Sequence, residues 1–163
     1  IRNFGTDQAS GDYLAFLDDD DIWLPDKLSI QIETMYKKEY KMSCTEGFIG
    51  EGIYEQNKNY KQYNSQHYLK KIKRKYKNTK YLRFNKYPEN FTYDFLKIHN
   101  CIITSSVVVE KKLFDNMGKF RNLPLSADYD CWLGLLQLTK CIYIDIPLFY
   151  YDFLHAEGRN YFK

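Results

Sequence analysis

The chain has 163 residues, 44% of them hydrophobic, and a formal net charge of +3. That length suits one domain with a real core. No apolar run approaches the roughly 20 residues of a spanning helix, and no basic start, apolar stretch and small-residue cleavage site marks a signal peptide, so a soluble, cytoplasmic protein is expected. Cys44, Cys101, Cys131 and Cys141 are far apart with no C-x-x-C pair. That spacing argues against a zinc site and for unpaired core thiols in a reducing compartment.

In chain order, the first strong signal is Tyr13-Leu14-Ala15-Phe16-Leu17, an apolar run that enters four consecutive aspartates, Asp18 to Asp21. The run reads as a short buried strand at about 13–17, with the carboxylates on the loop at its end. Pro25 fits the first turn of a following helix at about 25–39, where a missing N–H costs nothing. Four adjacent like charges repel one another, and a hard divalent cation bound to carboxylate oxygens would neutralise them. The plainer alternative is a solvated acidic turn beside a helix N-terminus. A strand is expected at about 42–48.

An irregular insertion follows at about 49–90. Its residues 58–86 carry eleven Lys and Arg and no acid, whereas residues 1–33 hold eight acids against Arg2 and Lys27. Leu69, Ile72 and Tyr76 recur at helical spacing, so a basic amphipathic helix is expected around His67 to Lys77. Three readings stand open: a solvated Lys-rich surface, a helix lying on an anionic membrane, and a nucleic-acid patch.

Phe91 to Ile98 is expected as a short helix. The β-branched run near Val107–Val109 predicts a strand at about 101–109. Lys111 to Asn116 reads as a short helix stopped at Gly118. Ser105 and Ser106 are read as plain strand residues, with contact to a substrate as the alternative. Ser126 is a candidate N-cap for a helix at about 127–138 whose core face holds Leu133, Leu135, Leu136 and Leu138. Asp128 falls in its first turn, where a carboxylate also complements the helix dipole. Strands are expected at about 141–146 and 148–153. The alternation of strands and helices indicates an α/β sheet.

Arg2-Asn3 with Gly5, then Ala9-Ser10-Gly11-Asp12-Tyr13, then Phe16-Leu17-Asp18 through Leu28, resembles the family 2 glycosyltransferases of the GT-A fold, a Rossmann-like nucleotide-sugar transferase fold. The resemblance implies that the aspartate loop is a DxD motif. Asp18 and Asp20 then hold Mn²⁺ or Mg²⁺ with a nucleotide-sugar, most simply a UDP-sugar; Asp19 helps with the ribose, and Arg2 and Asn3 contact the nucleotide. Asp128 stands at the catalytic base of the family's "ED" motif. The preceding position is Ala127 rather than Glu, and Asp130 is a fallback carboxylate. Pro147 to Tyr151 followed by His155 resembles the closing strand and a His that approaches the metal or diphosphate; a lone His is more often structural.

The resemblance further implies an inverting, metal-dependent transfer to a glycan or lipid-linked acceptor in bacterial surface-polysaccharide synthesis. Peripheral contact with the inner face of the membrane then ranks above nucleic acid. The chain corresponds to the later two-thirds of the family domain, and an exposed sheet edge is expected where the earlier part would pair. The competing reading is a non-catalytic degenerate relative that binds membrane or polyanion.

Overall fold

The computed structural model describes residues 2–81 and 85–154. The elements are α1 (Arg2–Gln8), β1 (Tyr13–Ala15), β2 (Ile22–Trp23), α2 (Lys27–Lys38), β3 (Met42–Gly50), β4 (Lys61–Gln62), a π-helical segment (Tyr63–Tyr68) continuing into α3 (Leu69–Lys75), β5 (Asn90–Phe91), α4 (Tyr93–Leu96), a 3₁₀ turn (Thr104–Ser106), β6 (Val108–Glu110), α5 (Lys111–Met117), α6 (Ala127–Leu138) and β7 (Cys141–Asp152). The sheet runs β1-β6-β3-β7-β2, with β4 added to β3 and β5 to β7. Among the described residues only β3 and β7 pair in parallel; the other pairings are antiparallel. β1 and β2 are the ends of the main path.

Several boundaries differ from expectation for local chemical reasons. Pro25 does not open α2. It sits in a turn closed by the Lys27 N–H on the Leu24 carbonyl, and Asp26 takes φ 63° before the helix begins. The expected strand at 101–109 narrows to Val108–Glu110. The Ser106 hydroxyl and N–H both donate to the Ile103 carbonyl, a local turn that competes with the ladder. The two closing strands are one, β7, whose pairing with β3 shifts register around Glu46 and Pro147. Pro147 lacks an N–H, so it belongs at such an irregularity. Phe91 joins β5 and leaves α4 only Tyr93–Leu96, and α1 forms over residues for which no element was expected. Ser126 is the N-cap of α6 by position, but at φ 57° its side chain makes no capping bond.

The insertion stays irregular over 51–60, and the basic helix expected inside it is present and longer than expected. Its helix begins at Tyr63, and its inner face, Ile72 and Tyr76, lies in the main core with Leu69 and Tyr68 packed beside it. Tyr76, Phe95, Phe91 and Tyr143 form a chain of stacked and tilted rings, 4.9–5.1 Å between centroids. Glu46 on β3 anchors the start of this helix. It is fully buried, and its carboxylate accepts from the N–H groups of Gly47, Asn64 and Ser65 and from the Tyr143 hydroxyl at 2.8–2.9 Å. A Cβ at Gly47 would lie 2.4 Å from the buried Phe149 ring, so any larger residue there must displace that ring. All four cysteines are buried and unpaired. Among the described residues no helix is long and apolar enough to cross a membrane.

Candidate active site

Two distant carboxylate groups meet because their neighbours pack together. Phe16, two residues before Asp18, lies 5.7 Å from the Trp132 ring, and Phe120 and Phe114 complete the cluster. Trp132 stands one helical turn after Asp128, on the same side of α6. The contact that fixes α6 on the sheet therefore also sets Asp128 against the aspartate loop. A cleft of about 290 Å³ results, lined by Asp18, Asp19, Asp20, Asn100, Ile102, Ile103, Thr104, Asp128 and Tyr151.

The loop is held at both ends by Ser105, which is fully buried. Its hydroxyl accepts from the Asp18 N–H at 3.0 Å, and its carbonyl accepts from the Trp23 indole N–H at 2.9 Å. The Asp21 N–H closes the turn on the Asp18 carbonyl, and β2 then pairs with β7 at Tyr150 and Phe149. Beneath the loop, the buried Lys27 places its Nζ 4.6 Å from the Trp23 ring and donates to Gln31 Oε1 at 2.6 Å. Gln31 donates in turn to the Ser43 hydroxyl and the Ser106 carbonyl. Burial pulls the Lys27 ammonium down to about 7.

The four aspartates are not equivalent. Asp21 is buried, and neither carboxyl oxygen has a hydrogen-bond partner. Burial first, then the Asp20 and Asp18 charges, push it up to about 7, while the nearby Ser105 hydroxyl and Asp152 backbone pull the other way. Asp18 is paired with Arg2, which also lies 5.8 Å from the Phe120 ring. Asn3 is turned to the same segment: its amide donates to the Phe120 carbonyl at 2.8 Å and accepts from the Phe120 N–H at 3.1 Å. Arg2 thus reaches the loop through Asp18, whereas Asn3 fastens α1 to Phe120 and does not line the cleft. Asp130 is gripped by Arg121 through Nε and a terminal nitrogen, which holds its carboxyl below the usual range and leaves it outside the cleft. Asp128 alone of the α6 acids lines the cleft. His155 lies outside the described residues.

Tyr151, Asn100 and Thr104 were not anticipated as cleft residues. The Tyr151 hydroxyl is pushed up to about 12 by burial and by the charges of Asp21, Tyr68, Asp20 and Asp18. Only the neighbouring match of Pro147–Tyr151 to a closing strand pointed near it.

Among the described residues no group of three or more His, Cys, Asp or Glu side chains could hold a metal ion. A Mg²⁺-type ion needs only one or two carboxylates when substrate phosphates and water fill the remaining positions. Asp18 and Asp20, which both line the cleft, are a donor set of that size, and Asp18 is also paired with Arg2.

The profile described as Glycosyl transferase family 2 matches residues 2–107. The chain belongs to that family. The matched stretch contains all four aspartates and ends before Asp128. TuaG of Bacillus subtilis (strain 168), named as a teichuronic acid biosynthesis glycosyltransferase, is 28% identical over 136 residues, covering 83% of this chain and 44% of the relative. The crystal structure of S. aureus TarS residues 1–349 superposes with a TM-score of 0.59 at 14% identity, over 93% of this chain and 39% of that one. The fold is therefore GT-A-like, and the chain spans less than half of the relative and of the solved structure that it matches.

Proposed function

We propose that this chain carries the reaction centre of a metal-dependent, inverting glycosyltransferase that moves a sugar from a nucleotide-sugar, a UDP-sugar in the simplest case, to a glycan or lipid-linked acceptor in cell-surface polysaccharide synthesis. The observation that carries this reading is the shared cleft of Asp18, Asp19, Asp20 and Asp128. Asp128 accepts the proton of an acceptor hydroxyl. The hydroxyl oxygen bonds to the anomeric carbon as the bond to the nucleoside diphosphate breaks on the opposite face. Asp18 and Asp20 hold the divalent ion, which when bound supplies positive charge for the departing diphosphate. Arg2 offers a second cation beside Asp18, and Asp19 in the same cleft is available to the ribose. On this reading the cleft is the later part of one GT-A domain.

One of the three readings of the basic segment laid it on an anionic membrane. An interfacial helix anchors through its apolar face, and here that face packs on the core. Electrostatic attraction alone remains for a membrane contact.

Asp20→Ala is expected to remove the Mn²⁺-dependent part of UDP binding in calorimetry, with the melting temperature kept. Unchanged affinity for UDP plus Mn²⁺ would sink the metal assignment. Ser105→Ala tests the loop's support. It leaves the part-buried Asp18 N–H without its acceptor, a loss of about 1 kcal/mol, and is expected to weaken UDP–Mn²⁺ binding as well as stability. Wild-type affinity in a destabilised Ser105→Ala protein would separate the loop's geometry from donor binding.

A further inference from the structure

The structure sets the chain's basic region directly beside its acidic cleft. Tyr151 lines the cleft. Its ring meets Tyr63 edge-on at 5.2 Å, Tyr63 lies 4.8 Å from Tyr68, and Lys71 Nζ stands 5.1 Å from the Tyr68 ring. His67 packs against Tyr68 at 4.6 Å. Burial, then Lys71 and Lys61, hold His67 below its ordinary value, so both cations act on this one spot. Lys58 and Lys80 are paired with Glu55 and Asp94. Lys61 and Lys71 are exposed and in no ion pair among the described residues. A continuous ladder of rings therefore leads from the carboxylates to a pair of uncommitted cations.

A membrane suits this surface poorly. Ile72 and Tyr76 are buried, and no large apolar side chain is exposed from residue 61 to 81. The outward features are cations and half-buried rings. Rings offer a negative face to the C–H bonds of a sugar, and cations take carboxylate or phosphate. An anionic glycan approaching Asp18, Asp19, Asp20 and Asp128 would be repelled, and a cationic site just outside the cleft offsets that repulsion.

We propose that His67 and Lys71, packed on Tyr68, with Lys61 on the strand that leads directly into this segment, bind an anionic group, carboxylate or phosphate, of an acceptor glycan whose terminal hydroxyl enters the cleft at Asp128. This rests on the glycosyltransferase reading and adds to it the acceptor's chemical class.

The test uses the full chain and its Lys61→Glu/Lys71→Glu variant, titrated with polygalacturonate, dextran and phosphatidylglycerol vesicles, and separately with UDP plus Mn²⁺. Polygalacturonate is expected to bind in a salt-sensitive way and dextran not at all. The double reversal should lower polygalacturonate affinity by about tenfold or more, as expected for two reversed surface contacts, and leave UDP–Mn²⁺ binding unchanged. Lys75→Glu/Lys77→Glu, the same charge change further along the segment, should have a much smaller effect. Equal losses from both double variants would reduce the effect to net charge and overturn the site. Vesicle binding lost on Lys61→Glu/Lys71→Glu, without polygalacturonate binding in the wild type, would make the surface a membrane contact instead. Polygalacturonate binding without UDP–Mn²⁺ binding in the wild type would keep the anion site and count against the glycosyltransferase reading.

Discussion

Asp128→Asn is expected to lower turnover by about 10²–10⁴-fold, the usual contribution of a positioned general base, while affinity for UDP plus Mn²⁺ stays at the wild-type level. The amide keeps the size of the side chain and cannot accept the proton. The loss should fall on kcat, because the base acts only as the acceptor oxygen attacks. Asp130→Asn is the matched control. Its carboxylate is held by Arg121 on the flank of α6, so breaking that exposed pair should change stability by no more than about 1 kcal/mol and leave turnover intact. Release of nucleoside diphosphate in the presence of acceptor measures both variants. Inactivation by Asp130→Asn with Asp128→Asn active would move the base to the other carboxylate. Full activity in both would take the base away from α6, whereas a wild-type chain that releases no nucleoside diphosphate would leave the degenerate-relative reading standing, which the Ala127 departure from the family motif first raised.

The elements that sequence revealed are those whose signal is local. The apolar run before Asp18–Asp21 holds a strand, though it ends at Ala15 and buries only Leu14, the leucines of 133–138 made a helix with Asp128 in its first turn, and Gly118 stopped α5 at φ 99°. The pairing of the acidic loop with Asp128 followed only from family resemblance. Its physical cause, Phe16 against Trp132, joins residues more than a hundred positions apart. Ser105 shows the limit well. A serine in an apolar run looks like an ordinary strand position, and its grip on Asp18 and Trp23 appears only when β6 and the acidic loop lie side by side. Tyr151 reaches the cleft on a β7 whose register against β3 shifts on either side of the Glu46–Pro147 pair, before Tyr150 pairs with Phe48. Sequence marked that irregularity as a break between two strands. Asp21 was indistinguishable from its three neighbours, yet it alone of the four is buried.

Glu46→Ala is expected to destabilise the chain by about 3–5 kcal/mol, a large part of the 5–15 kcal/mol that holds a typical domain together. Truncation leaves the Gly47, Asn64 and Ser65 N–H groups and the Tyr143 hydroxyl without their acceptor. An unsatisfied buried donor costs about 1–3 kcal/mol, and water entering the space would recover part of the sum. Glu46→Gln should fall between, since one amide oxygen still accepts while the NH₂ faces donors. Urea unfolding should show a lower midpoint with the slope little changed. Amide exchange should show where the loss acts, with protection falling first over residues 63–75, whose leading turn the carboxylate holds. The same turn carries Tyr63, which packs on Tyr151 in the cleft, so Glu46→Gln should also weaken acceptor-side binding more than donor binding. A Glu46→Ala chain that unfolds at the wild-type urea midpoint would mean that the basic helix is held by its buried face, Ile72 and Tyr76, and needs no carboxylate anchor.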